Sequence, residues 1–113
     1  MRGGEVLVSA EVATTRVARR RGLLGRASIA GVLMLRPCRQ VHSFGMRFPI
    51  DVIWCDGDGR VLRIAVLPPR RMTRPVWRSR FVLEAELGIA SRWGLKIGDV
   101  LEVTPEVTTD ADP

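Results

Sequence analysis

The sequence predicts a mainly β fold, a compact β-sandwich or partly open barrel of about six to eight short strands with one or two short helical segments. Three observations predict it. Apolar and polar residues alternate along several short stretches, as in strands with one buried face. Turn residues separate these stretches at close intervals. At 113 residues, the chain is also long enough to bury a hydrophobic core of its own.

The chain opens with the pattern of a strand, a short helix and a second strand. We expect a strand over residues 5–12, because alternate positions are apolar. Thr14 or Thr15 can then cap a short helix. Residues 31–35 are almost wholly apolar and predict a buried strand, which ends before Pro37.

The clearest local pattern is a β-hairpin over residues 50–67. Apolar residues alternate with others on both sides of the run Asp-Gly-Asp-Gly at residues 56–59, and these residue types tolerate the positive φ of a tight turn. The same run resembles the start of a calcium loop. Its later ligand positions fall on Arg60 and Leu67, which cannot coordinate the ion, so the hairpin is preferred.

The second half of the chain continues the β pattern. Residues 68–75 predict a loop, residues 81–87 a strand and residues 88–93 one helical turn. A tight turn at Gly98-Asp99 leads into a last strand, Val100 to Val103.

Length and composition predict one globular β-rich domain over residues 1–103 and a flexible polar tail over residues 104–113. No apolar stretch approaches the length of a membrane-spanning helix, and Glu5 and Glu11 interrupt any signal-peptide core. Two cysteines make a poor disulfide framework, and their separation in space is left open. We therefore expect a cytoplasmic protein with no membrane contact.

The formal net charge is +6, from 18 basic and 12 acidic residues, and all the basic residues but Lys96 are arginines. Such an excess attracts nucleic acids, acidic proteins or anionic ligands in a salt-dependent way. A solvated basic surface without a partner is the simpler alternative.

Motifs of several enzyme and metal-binding classes are missing. The chain has no glycine-rich phosphate loop, no nucleophile elbow and no metalloprotease helix. Cys38, His42 and Cys55 form a C-x3-H-x12-C pattern, but no fourth ligand for zinc is evident. We therefore predict neither a metal site nor a cofactor, and two buried or half-buried thiols instead.

One polar group stands out around the single histidine. His42 lies in a loop that contains Gly45 and Pro49, and neutral-pH acid–base chemistry would run through it. A ligand site is predicted there, consisting of His42, Arg47, Asp51 and Glu84. If the protein is an enzyme, the catalytic candidates within this set are His42, Asp51 and Glu84. The alternative is that these groups only satisfy each other and the backbone of the loop.

A basic segment follows the hairpin. It combines five arginines with one tryptophan, a composition suited to single-stranded nucleic acid or to an acidic peptide. Three Trp, three Phe and no Tyr in the whole chain are few for a stacking platform, so any nucleic-acid binding should be weak and non-specific. The residues are Arg70, Arg71, Arg74, Trp77, Arg78 and Arg80.

Five motifs in this order resemble the family called domain of unknown function 192, which is widespread in bacteria and archaea. They are Gly22-Leu23-Leu24-Gly25-Arg26, residues 31–35, residues 48–56, Val82-Leu83-Glu84-Ala85 and residues 94–99. The likeness spans Ala10 to Val103.

The resemblance implies a compact mainly β fold with a short helix after the first strand. It brings no established activity and no catalytic residues. The positions that match the family pattern are Pro49, Asp51, Glu84, Gly98 and Asp99. Many members carry an aromatic-Met-Lys-Asn stretch before the Pro-hydrophobic-Asp element, where this chain has residues 42–47. The resemblance therefore implies a site at the same position as in other family members, with a different ligand in this chain.

Three hypotheses follow from the sequence. The first is a non-catalytic binding or interaction module for a polar or anionic small ligand or an acidic peptide. The second is a small enzyme that uses His42 as general acid or base, with Asp51 orienting the imidazole and Arg47 holding an anionic group. The third is a weak nucleic-acid accessory protein that acts through residues 70–80.

Overall fold

A computed structural model of the chain describes residues 5–13 and 31–108. Within these ranges the mainly β fold is confirmed, with the helix predicted after residue 13 lying outside them. The elements are β1 (Glu5–Ala13), β2 (Val32–Leu35), β3 (Ile50–Cys55), β4 (Val61–Leu67), β5 (Phe81–Glu86), α1 (Ile89–Arg92) and β6 (Val100–Thr108).

The six strands form one mixed sheet in the order β4-β3-β5-β2-β1-β6. β1 runs parallel to both of its neighbours, and the remaining pairs are antiparallel. The sheet is not closed into a barrel, but its two edge strands touch at one end. There Val61 donates its N–H to the carbonyl of Asp99, and Leu101 donates to the carbonyl of Gly59, each at 2.8 Å.

The predicted hairpin is present as β3 and β4, which pair from Ile50↔Leu67 to Cys55↔Val61 with one bulge. The side chain of Asp56 stabilises its turn. Asp56 Oδ1 accepts hydrogen bonds from the N–H groups of Asp58 at 2.9 Å and Arg60 at 3.0 Å. A short aspartate can satisfy the backbone of a turn in this way, which explains why the local sequence was sufficient to predict the hairpin.

The sheet buries side chains on both faces, in two clusters. Successive residues of β3 from Val52 to Cys55 belong to different clusters, because successive side chains of a strand point to opposite faces. The first cluster consists of Leu33, Leu35, Val41, Met46, Ile50, Val52, Trp54, Leu67 and Val82. The second consists of Val8, Ala10, Val12, Met34, Ile53, Cys55, Val61, Phe81, Leu83, Ala90, Leu95 and Leu101.

Different segments cover the two faces. On the second face, Ala90 of α1 and Leu95 beyond it complete the cluster. On the first face, two segments without helix or strand contribute Val41 and Met46 to the cluster and pack Val76 against it. We call these two segments, residues 36–49 and 68–80, the arginine loops.

β6 is longer than the sequence predicted. The expected strand ended at Val103, but β6 continues to Thr108 because it pairs with β1 through Ser9↔Thr104 and Ala10↔Pro105. Pro105 is tolerated because β6 is an edge strand. No helix in the described parts of the chain is long and apolar enough to cross a membrane.

Candidate functional site

His42 lies on the surface of the first arginine loop. It forms an isolated antiparallel bridge with Met72 of the second loop, and both side chains are exposed. Its Nδ1 accepts a hydrogen bond from the N–H of Phe44 at 3.2 Å. The rings of His42 and Phe44 stack, with centroids 5.3 Å apart and planes 27° from parallel. The imidazole is thus oriented by its own loop.

Asp51 lies on the opposite side of the sheet from His42. Its side chain is buried, and its Oδ2 accepts a hydrogen bond from the N–H of Ala90 at 2.9 Å. That N–H belongs to the first turn of α1, which lacks a capping side chain of its own. Asp51 therefore anchors α1 to the sheet, and the expected orientation of His42 by Asp51 is not found.

Glu84 is also buried, but on the first face. It is paired with Val52 on one side and Leu33 on the other, and both belong to the first cluster. Asp51 is paired with Ala85, one residue along, so its side chain points the other way. The pleat therefore separates the two carboxylates, and the expected convergence of His42, Asp51 and Glu84 does not occur. Arg47 is exposed, in the same loop as His42.

The two arginine loops are joined by a ladder of hydrogen bonds between residues far apart in sequence. Val76 donates its N–H to the carbonyl of Arg39, and Thr73 donates to that of Val41, both at 2.9 Å. Ser43 both donates its N–H to the carbonyl of Arg71 at 2.8 Å and accepts from the N–H of Arg71 at its Oγ, at 2.9 Å. The loops therefore behave as one irregular two-stranded ribbon.

Buried hydroxyl groups close this ribbon at both ends. Ser43 Oγ donates to the carbonyl of Pro68. Ser79 Oγ donates to the carbonyl of Cys38 at 2.8 Å, and both serines are fully buried. Sequence reasoning missed these serines, because a serine that bonds a carbonyl in another loop leaves no local pattern. The sequence offered only an indirect sign of their role. Residues 68–80 are rich in proline and arginine and contain few other polar residues that could bond the backbone of the facing loop.

The surface of the ribbon is strongly basic. The arginine loops carry eight of the 18 basic residues and none of the 12 acidic residues, so the rest of the chain has a net charge of −2. All eight arginines are exposed, and no ion pair between described residues involves them. They are Arg36, Arg39, Arg47, Arg70, Arg71, Arg74, Arg78 and Arg80.

The two cysteines occupy different environments. Cys38 is half-buried against the first cluster, Cys55 belongs to the second, and neither is in a disulfide. Burial, and secondarily the charge of Asp56, raises the pKa of Cys55 to about 12. Cys38, Cys55 and the exposed His42 therefore lie in three different environments. Among the described residues, no group of three or more His, Cys, Asp or Glu residues could hold a metal ion.

Comparison with known families decides the classification of this chain. The model of the DUF192 family, described as "Uncharacterized ACR", matches residues 1–103. The chain belongs to this family.

Curated relatives of this DUF192 chain are UPF0127 proteins of archaea. One from Pyrococcus furiosus is 27% identical over 106 residues, which cover 89% of this chain and 91% of that protein. Another, from Pyrococcus horikoshii, is 32% identical over 62 residues, which cover 55% of this chain and 54% of that protein.

Two solved structures resemble the DUF192 chain in fold. A protein of unknown function from Novosphingobium aromaticivorans is 25% identical with a TM-score of 0.70, and the match covers 80% of this chain and 71% of that one. A putative transcription regulator from Sinorhizobium meliloti is 24% identical with a TM-score of 0.70, covering 80% of this chain and 78% of that one.

Several positions through which this sequence resembles the DUF192 family have structural roles here. Asp51 anchors α1. Asp99 accepts the N–H of Lys96 at its Oδ2, at 2.9 Å, and its carbonyl joins the two edge strands. Glu84 lies within the sheet. These positions are used within the fold, whereas the arginine side chains of the two loops are exposed.

Proposed function

We propose that this DUF192 chain is a non-catalytic binding module that holds an anionic ligand on the exposed surface of the arginine loops. The proposed site keeps His42 and Arg47 from the group predicted by sequence. It replaces Asp51 and Glu84, which are buried within the sheet, with the arginines of residues 70–80.

The observation that carries the proposal is the segregation of charge. Eight exposed arginines and no carboxylate lie on two segments that hydrogen bond side by side, in a chain whose remainder is net negative. Like charges repel, so such clustering opposes folding unless a counter-charge is bound. Guanidinium groups bind carboxylates and phosphates through two parallel hydrogen bonds, which suits them to an anionic ligand.

The ribbon also presents these arginines on a preorganised backbone. Ser43, Thr73 and Ser79 bond main-chain groups of the facing loop, so the loops are held together without using the guanidinium groups. The exception is Arg39, whose Nε donates to the carbonyl of Trp77 at 2.9 Å. A preorganised site loses less entropy when it binds its ligand.

A strained residue lies within the same surface. Arg70 has a φ of 64°, a left-handed conformation that costs a residue with a side chain about 1 kcal/mol and that glycine adopts freely. Strain of this kind is concentrated at binding sites. An arginine at this position supports a role for its side chain in the site.

The test compares two double variants with equal loss of charge. Arg71→Gln/Arg74→Gln removes two exposed arginines from the ribbon, and Arg92→Gln/Lys96→Gln removes two exposed cations elsewhere. Binding of a fluorescein-labelled polyglutamate peptide and of labelled oligothymidine is followed by anisotropy at low and high salt. We expect the first variant to weaken binding about tenfold and the second to change it less than about twofold.

Equal weakening by both double variants would show that only net charge matters, and it would contradict a site on the arginine loops. Absence of binding by the wild-type chain to either probe at low salt would overturn the proposal altogether.

A further inference from the structure

We propose that the ligand of the arginine loops is an acidic peptide segment with an apolar side chain among its carboxylates, and that this side chain packs on His42, Phe44 and Met72. This inference rests on the proposed function and adds the class of partner. We call these three residues the apolar spot.

The apolar spot is continuous across the two loops. His42 and Met72 are opposite each other in an antiparallel bridge, and side chains opposite each other in such a pair lie on the same side, about 5 Å apart at Cβ. Phe44 stacks on the His42 ring. The three side chains thus form one small apolar surface over the ladder of hydrogen bonds.

This surface faces solvent although the fold buries its neighbours. Phe44 is 50% exposed and Met72 is 60% exposed, whereas Val41, Ser43 and Met46 of the same loop are buried. Arginines adjoin the spot in sequence, since Arg47 follows Phe44 closely and Arg71 precedes Met72. Apolar residues flanked in sequence by exposed arginines have the composition of an interface core with a charged rim.

The spot is also held in place before any ligand arrives. The N–H of Phe44 is bonded to His42 Nδ1, and Ser43 between them is bonded to Arg71 of the other loop. Met72 adds a flexible thioether that can adapt to ligand side chains of different shape. A fixed aromatic pair beside an adaptable methionine favours a protein side chain as the occupant.

The geometry fits a nucleic acid less well. Proteins that bind single-stranded nucleic acids stack the bases on open aromatic side chains. One face of Phe44 is covered by His42, and Met72 has no ring. The remaining exposed aromatic ring of the arginine loops, Trp77, lies five residues beyond Met72 in sequence. An acidic peptide supplies carboxylates for the arginines and an apolar group for the spot together.

The experiment uses the full chain and three labelled probes of equal net charge. They are a short acidic peptide with one central leucine, the same peptide with serine in place of the leucine, and oligothymidine. We expect the leucine peptide to bind about tenfold more tightly than the serine peptide, the effect of burying one apolar side chain.

Two single variants assign this preference to the spot. Met72→Ser should bring the leucine peptide to within about twofold of the serine peptide, while binding of the serine peptide is unchanged. Ile97→Ser is the matched control, because Ile97 is 68% exposed and lies outside the arginine loops. This variant should keep the tenfold preference for leucine.

The outcomes separate the inference from the proposed function. If both peptides bind equally and Arg71→Gln/Arg74→Gln weakens both, the apolar spot has no role and the inference fails, while the anionic site stands. If no probe binds, the proposed function itself fails. If oligothymidine binds at least as tightly as the leucine peptide and Met72→Ser leaves its affinity unchanged, the partner is a nucleic acid and the inference is overturned.

Discussion

The two faces of the central sheet bury hydrophobic clusters of similar kind but are covered in different ways. The second face is covered by α1 and the segment that leads to β6, and Asp51 holds this cover to β3 by one hydrogen bond to Ala90. The first face is covered by the arginine loops, which are held mainly by hydrogen bonds to each other.

The two covers use polar side chains differently. On the second face the buried polar side chain of Asp51 is used in packing. On the first face, main-chain and hydroxyl groups hold the loops together, so charged side chains remain available at the surface. Loops on a rigid sheet are common sites of binding for this reason.

The largest effect is expected where the second face closes. Gly59 has a φ of 86°, and a Cβ there would collide with the carbonyl oxygen of Leu101. Gly59→Ala should therefore lower the free energy of unfolding by about 3 kcal/mol, measured by chemical denaturation.

Gly57→Ala is the control in the same turn, because its Cβ would meet only the Arg80 side chain, at 3.7 Å. This variant should lose less than about 1 kcal/mol. Equal losses in the two variants would mean that contact between the edge strands contributes little to stability.

A smaller effect is expected at Asp51. Asp51→Ala leaves the N–H of Ala90 without its acceptor and should lower the unfolding free energy by about 2 kcal/mol. Asp51→Asn retains an acceptor oxygen and should lose less. Binding of the leucine peptide should stay within about twofold of wild type in both, because Asp51 is on the other face. A binding defect in the folded Asn variant would mean that the two faces are not functionally separate.

The smallest expected effect is on stability at alkaline pH and comes from the buried thiol of Cys55. Partly exposed Cys38 should react with a disulfide reagent at pH 8, whereas buried Cys55 should react only after unfolding. The pKa of Cys55 is raised by burial from 9.0 to about 12, so the folded state holds this proton more tightly than the unfolded state. Its contribution to stability is complete below pH 9 and is lost as pH rises towards 12.

Unfolding free energies of wild type and Cys55→Ala measured between neutral and alkaline pH test this contribution. The difference between the two proteins should shrink over that window. A constant difference, or rapid reaction of both thiols in the folded protein, would show that the second face is open to solvent at Cys55.

The local elements could be predicted from short sequence patterns. The hairpin of β3 and β4 follows from alternation on both sides of a turn whose bonds Asp56 makes within four residues. The single turn of α1 and the tight turn before β6 were likewise readable, because their glycines and Asp99 act locally. The order of the five motifs was also sufficient to indicate the DUF192 family, whose model matches residues 1–103.

Which polar residues lie close together depends on contacts between segments distant in sequence. The register of β3 on β5 places Asp51 opposite Ala85 and Glu84 opposite Val52, and a shift of one residue would have reversed both side chains. The pairing of the arginine loops depends on Ser43 and Ser79, whose partners lie 25 and 41 residues away. Sequence patterns record periodicity along one segment, whereas register and loop pairing arise from contacts between segments. The sequence indicated the basic segment at residues 70–80, but only the fold joins it to residues 36–49 in one basic surface.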